Sequence, residues 1–159
     1  MARNQEYLTE AAGLMRAMRQ ATLATLDKGV PFASLVTPAL DEEGAPLLLL
    51  SSLAAHTRHL RASPACALLI TGPAVDENPQ TAPRLCLQGE ASPVEGEALQ
   101  ARYLAAHPYA ARYIGFGDFG LWRLAVRGVH FVGGFGAAAR LDFAALQHEI
   151  SPNPGAAQG

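Results

Sequence analysis

The stretch LLLLSSLAAHTRHLRASPACALL spans residues 47–69 and holds the clearest structural signals in the chain. Its four leucines and the serine that follows predict a strand over residues 47–51 that is apolar on both faces and therefore central. A short helix is predicted over residues 54–62, and it ends at Ser63 because a residue before proline disfavours the α region. Residues 65–71 then predict the next strand.

Similar patterns extend to both sides of this stretch. Helical spacing of apolar residues predicts a helix over 4–19, and composition predicts others over 95–107, from Pro108 and over 141–149. Two further strands are predicted over 21–26 and 30–37, joined by a Gly-containing turn. Another is predicted over 84–89, with an extension to 94. A last hairpin is predicted from strands over 119–126 and 129–132, with its turn at 127–128. Closely spaced strands with hairpin connections favour an α+β, mainly β fold, an antiparallel barrel with flanking helices.

Length and charge narrow the function classes. The chain has 159 residues and a formal net charge of −2, with 50% hydrophobic and 16% charged residues. A single domain over 1–150 is expected, with a disordered tail over 151–159. No basic excess exists to neutralise phosphates, so a nucleic-acid binder is not expected. The low charged fraction predicts an apolar surface shared with a second subunit.

The expected cellular location rests on sequence features of secreted and membrane proteins that are missing here. The first residues lack the apolar core of a signal peptide, and the apolar runs are too short to cross a membrane. Two cysteines, Cys66 and Cys86, are too few for a disulfide framework. A cytoplasmic protein without membrane contact is therefore expected.

Two familiar motifs carry little weight. Residues 115–120 read GFGDFG and match G-x-G-x-x-G, but a helix-like run precedes them and a strand-like run follows, the reverse of a dinucleotide site. His56 and His59 share a helix face, yet a metal site needs a third ligand, so no metal is expected. The acidic run 41–43 predicts a solvated loop.

A local anion site is the more specific interpretation of residues 51–61. A helix N-terminus carries unsatisfied N–H groups and a partial positive charge, and hydroxyls and a guanidinium beside it would complete a phosphate site. The residues in question are Ser51, Ser52, His56, Thr57, Arg58 and Arg61. An ordinary capped helix with a solvated basic face explains the same pattern, and the residues alone leave both interpretations open.

Four segments together resemble a known superfamily. They are ATLAT at 21–25 followed by GVPFASLV at 29–36, LLSSLAAHTRHL at 49–60 followed by Ser63-Pro64, PRLCLQG at 83–89, and Asp118-Phe119 with VGGFGAA at 132–138. In this order they resemble the flavin mononucleotide (FMN)-binding split β-barrel superfamily typified by pyridoxamine 5′-phosphate oxidase, and within it the HugZ-like haem-utilisation branch. The resemblance implies a split barrel of six to seven antiparallel strands.

The resemblance also implies a homodimer with FMN in the groove between subunits, and a flavin-dependent oxidoreductase acting on a small molecule of unknown identity. Carried onto this sequence, the cofactor contacts are Ala33, Ser34, Leu35 and Val36 on the second strand, Ser51, Ser52, His56, Thr57 and Arg58 after the strand that follows, Arg84, and Phe119 or Trp122 near the ring edge. No catalytic acid or base stands out, which suits chemistry centred on the cofactor.

Two alternatives remain beside the flavoprotein. The branch makes haem the first alternative ligand, with His56, His59 or His130 as the axial nitrogen. A non-enzymatic split-barrel binding module is the other, because residues 31–37 lack the basic side chains that the phosphate oxidase has there. The oxidase's C-terminal substrate signature is also missing, so pyridoxamine phosphate oxidation is not expected.

Overall fold

The computed structural model of the chain describes residues 1–151. Within this range the elements follow the order α1 (Ala2–Ala17), β1 (Ala21–Asp27), β2 (Val30–Val36), β3 (Ala39–Leu40), β4 (Pro46–Ser51), α2 (Ala55–Ala62), β5 (Ala65–Thr71), β6 (Arg84–Val94), α3 (Glu97–Ala106), β7 (Phe119–Val132), β8 (Ala138–Leu141) and α4 (Phe143–Ile150). Single 3₁₀ turns occupy Pro79–Thr81 and Pro108–Arg112, the second where Pro108 predicts a helix start. Apart from Ser151, the predicted tail lies outside the described residues.

The strands of this range form one antiparallel sheet in the order β2-β1-β5-β6-β7-β4-β3, with β8 paired to the end of β7. The sheet curls around a core that includes Leu23, Leu68, Leu87 and Phe131, all fully buried. Helices α1 and α4 contribute to the same core. The predicted α+β class with an antiparallel split barrel is confirmed. None of the described helices is both long and apolar enough to cross a membrane.

The β1–β2 hairpin forms where the sequence predicts it. Its two turn residues, Lys28 and Gly29, both have positive φ, at 50° and 83°. Positive φ at both central positions defines a type I′ turn, whose twist matches that of the flanking strands. The turn brings Asp27 opposite Val30 and fixes the register of the whole hairpin.

Strand β4 is buried on both faces but is not central. It pairs with β7 on one side and only with the two-residue β3 on the other. Leu48 and Leu50 face the main core, whereas Leu47 belongs to a second core under α3 with Tyr103 and Ala110. A helix layer over the outer side of the sheet explains the double burial, and the apolar run alone could not distinguish it from a central position.

Strand β7 corrects the predicted hairpin over 119–132. Residues Phe119–Val132 form one continuous strand along β6, and Arg127-Gly128 is not a turn. Gln88 pairs with Gly128 and Gly89 with Val126, so Arg127 is the extra residue of a β-bulge. A turn and a bulge both favour glycine, which explains the error.

Asp41 corrects the prediction of a solvated acidic loop. Its side chain is 2% exposed, and Arg123 Nε lies 2.8 Å from its Oδ2 atom. The other carboxylate oxygen accepts the backbone N–H groups of Glu43 at 2.9 Å and Ala45 at 2.8 Å. The carboxylate therefore closes the β3–β4 turn and ties it to β7.

Replacing Gly89 by alanine tests the bulge. A Cβ atom on Gly89 would collide with the carbonyl oxygen of Ala125, a backbone atom that cannot move aside alone. We expect Gly89→Ala to lower the free energy of unfolding by about 3 kcal/mol and the melting temperature by roughly 10 °C. Gly13→Ala is the control, because nothing lies within 4 Å of its Cβ position and helix α1 gains about 0.5–1 kcal/mol. Equal melting temperatures for the two variants would contradict this account of the bulge.

Candidate functional site

The junction between β4 and α2 is tied to the turn before β7. Ser51 Oγ donates a hydrogen bond to Asp118 Oδ2 at 2.7 Å and accepts one from the Leu53 N–H at 3.2 Å. The Ser52 N–H donates to the Asp118 carbonyl oxygen at 2.7 Å. The hydroxyl of Ser51, predicted to contact a phosphate, is therefore already engaged within the protein.

Helix α2 presents the predicted binding residues in different environments. Arg58 Nη1 donates to the Leu53 carbonyl oxygen at 2.7 Å, which closes the helix start. Thr57 is 1% exposed and its Oγ1 atom has no hydrogen-bond partner within the described residues. His56 is half-buried, and burial, followed by the nearby His59, lowers the pKa of its imidazole below the usual 6.5. His56 is therefore neutral near pH 7.

His59 fastens α2 to the β1–β2 hairpin. Its Nδ1 atom lies 3.0 Å from Thr25 Oγ1, and its Nε2 atom lies 3.9 Å from Asp27 Oδ2. The ring also makes an edge-on contact with Phe32 at a centroid distance of 5.0 Å. Because both ring nitrogens face partners inside the protein, a structural role fits His59 better than the predicted role of an axial ligand.

A cleft of about 610 Å³ opens between α2, the start of α3 and the beginning of β7. This α2–α3 cleft brings together four of the predicted cofactor residues with a set of charged side chains; among the residues that line it are Ser52, Thr57, Arg61, Glu95, Glu97, Asp118, Phe119 and Trp122. Its carboxylates outnumber its one guanidinium. That balance opposes a dianionic phosphate, whatever the hydroxyls contribute.

The remaining predicted residues lie outside the α2–α3 cleft. On the edge strand β2, Ser34 and Val36 share the side of the barrel core, whereas Ala33 and Leu35 are exposed on the outer face. Ser34 Oγ is a second buried hydroxyl without a partner. Arg84 lies at the start of β6, where Nη1 donates to the carbonyl oxygens of Gln80 at 3.0 Å and Ala82 at 3.1 Å. A single protomer does not gather the twelve residues into one site.

A second cleft, of about 620 Å³, lies on the outer face of β6, β7 and β8. The strand register sets Cys86 beside His130 and His130 beside Arg140. Arg127, the bulged residue, also lines this outer-face cleft, and no carboxylate does. Sequence reasoning identified His130 but missed both arginines. The bulge brings Arg127 to this cleft and the unpredicted strand β8 brings Arg140 to it.

Burial disfavours the thiolate form of both cysteines. Burial raises the pKa of the Cys66 thiol to about 11, and burial also raises the pKa of Cys86. Both thiols are partly exposed. Within residues 1–151, no three His, Cys, Asp or Glu side chains converge as ligands of a metal ion.

Known proteins resemble the chain over most of its length. It is 40% identical over 114 residues to the non-canonical heme oxygenase HOZ, chloroplastic, of Arabidopsis thaliana, an alignment that covers 70% of this chain and 34% of that protein. The chain thus spans about a third of the length of that curated relative. A heme binding protein from Mycobacterium smegmatis superposes with a TM-score of 0.81 at 35% identity, covering 89% of this chain and 60% of that one.

More distant structures share the fold. A putative pyridoxamine 5′-phosphate oxidase from Listeria innocua has a TM-score of 0.63 at 15% identity, over 80% of this chain and 98% of its own. The predicted resemblance to this split-barrel superfamily and to its haem-utilisation branch is confirmed. The CREG β-barrel profile matches residues 3–147, so the chain belongs to the CREG β-barrel family.

Proposed function

We propose that this protein binds haem in the outer-face cleft, as a haem-binding or haem-utilisation member of its family. The observation that carries the proposal is the cationic lining of this cleft, where Arg127 and Arg140 accompany His130 and no carboxylate is found among the described residues that line it. Haem carries two propionates, and guanidinium groups are suited to bind carboxylates. The likeness to the mycobacterial heme binding protein supports this assignment.

The residues present fit the group in chemistry as well as in charge. His130 is exposed on the outer face, and no hydrogen bond or ion pair of its ring is found among the described residues. A neutral imidazole nitrogen is a common axial ligand of haem iron. When bound, haem supplies a redox-active iron; the chain's own residues would hold the iron from one side and orient the propionates. The oxygenase activity in the name of the Arabidopsis protein belongs to a longer chain.

A second copy of the chain completes this proposal. Leu35, 68% exposed, and Leu69, 41% exposed, flank Thr22 in one cross-strand row that continues through Cys86 to His130. The row therefore runs from an exposed apolar edge directly into the outer-face cleft. An apolar face of this kind favours burial against an identical face in a twofold dimer, which would enclose the haem between subunits.

Flavin mononucleotide is the second candidate, on one specific observation. Ser34 Oγ and Thr57 Oγ1 are buried hydroxyls without hydrogen-bond partners among residues 1–151, on the two elements that the family resemblance assigns to phosphate binding. Groups of this kind are satisfied when a ligand accepts or donates the missing bond. Against this candidate stand the absence of a basic residue on β2 and the acidic balance of the α2–α3 cleft.

Haem titration of histidine variants tests the main proposal. We expect His130→Ala to shift the Soret maximum and to weaken haem binding by about tenfold or more, because the axial nitrogen is lost. Arg140→Gln should weaken binding by about fivefold with the Soret maximum unchanged, since it removes only a propionate contact. His148→Ala, on α4, is the control histidine. If His130→Ala binds like the parent while His56→Ala does not, the outer-face site is wrong.

The dimer is tested at its proposed apolar edge. Leu35→Glu should convert a dimer into a monomer in light scattering coupled to size-exclusion chromatography, because a carboxylate would be buried there without a partner. Val75→Glu is the matched control, since Val75 is 81% exposed but lies in the loop before β6. A parent protein that is monomeric at micromolar concentration, with and without haem, contradicts the shared interface.

The flavin candidate is tested by comparing two flavins. A phosphate site predicts that FMN binds at least about tenfold more tightly than riboflavin, and that Arg58→Ala and Arg84→Ala reduce this preference. Visible absorbance of the purified protein and fluorescence titration measure both. Equal affinity for the two flavins, or no uptake of either, removes the candidate. Unchanged affinity in both arginine variants would show that the phosphate lies elsewhere.

A further inference from the structure

The α2–α3 cleft holds a binding feature that the haem proposal does not use. Thr57 lines this cleft with a side chain that is 1% exposed, and its Oγ1 atom has no partner within the described residues. Burying a hydroxyl without a hydrogen bond is unfavourable, so such a group points to a ligand that supplies one. The cleft shares no lining residue with the outer-face cleft.

The charged side chains that line the α2–α3 cleft indicate the charge of the ligand that would bind there. Glu95, Glu97 and Asp118 line it against the single guanidinium of Arg61. Asp118 accepts a hydrogen bond from the neutral hydroxyl of Ser51, and within residues 1–151 none of the three carboxylates forms an ion pair. Helix α3 begins beside them without a side-chain cap, but its partial positive charge is only about half a unit. The cleft is therefore net acidic.

The floor of the cleft is aromatic and apolar. Trp122 is 4% exposed and Phe119 is partly exposed, and both line the cleft together with Leu49. Aromatic rings attract cations over their faces and pack against flat ligands. An acidic rim over an aromatic floor is complementary to a small planar molecule that carries a positive charge.

We propose that the α2–α3 cleft is a separate binding site for a small organic cation, an aromatic amine or amidine. Its ring lies against Trp122 and Phe119, its ammonium or amidinium group faces Glu95 and Glu97, and Thr57 Oγ1 accepts a hydrogen bond from it. This site is independent of the haem proposal, because the two clefts share no lining residue.

The fluorescence of Trp122, the one tryptophan in the chain, reports directly on the site. Benzylamine, benzyl alcohol and benzoate serve as probes, since they differ mainly in charge. We expect saturable quenching with benzylamine, weaker binding of benzyl alcohol, and no saturation with benzoate at the same millimolar concentrations. Each probe is titrated into the full chain with and without haem.

Three variants separate the contributions. Glu97→Gln should weaken benzylamine binding about two- to fivefold and leave benzyl alcohol unaffected, whereas Glu77→Gln, in an exposed loop, should change neither. Thr57→Val should weaken benzylamine about fivefold without lowering the melting temperature, because no internal hydrogen bond is lost. Benzoate binding as tightly as benzylamine, or an unchanged Trp122 signal with all three probes, overturns the proposal.

Discussion

The pairing of β6 with β7 is the constraint on which the rest of the structure depends. Arg84–Val94 and Phe119–Val132 pair along eleven positions of β6, and every other part of the sheet attaches to one of these two strands directly or through β5 and β4. The bulge at Arg127 divides this ladder in two. Because a bulge changes register by one residue and increases the local twist, it determines which side chains each half presents to which face.

The two clefts of interest lie at opposite ends of this same ladder. Beyond the bulge, the register sets His130 between Cys86 and Arg140 on the outer face; before it, Trp122 pairs with Pro93 at the floor of the α2–α3 cleft. The charged residues that line one cleft are arginines and those that line the other are mostly carboxylates, although the volumes are nearly equal, at about 620 and 610 Å³. A net charge of −2 over the chain conceals this separation. In the functions proposed above, the charge of each cleft, rather than its size, distinguishes a site for an anionic tetrapyrrole from a site for a small cation.

Sequence reasoning was most accurate where local chemistry is sufficient. Steric limits on a few consecutive residues determine the β1–β2 turn and the end of α2 before Pro64, and both were predicted correctly. It failed at Arg127-Gly128, where glycine suits a turn and a bulge equally, and at β3 and β8, which are two and four residues long and carry no measurable periodicity. It also predicted that Asp41 is exposed to solvent, because the Arg123 side chain that stabilises this buried carboxylate lies on a strand distant in sequence.

The sequence by itself determined the fold class, the family and the types of residue that carry the chemistry. Its four segments at 21–36, 49–64, 83–89 and 118–138 together carried the family resemblance, whereas turn residues, proline and apolar runs indicated the local elements through sterics. Only the tertiary structure decided which of these residues meet. It pairs Ser51 with Asp118 and His59 with Thr25, and it gives Thr57 Oγ1 no hydrogen-bond partner in the part of the chain that the structure describes. It also joined His130 to two arginines that lie on different strands, because strand register is set by long-range pairing and not by neighbours in the chain.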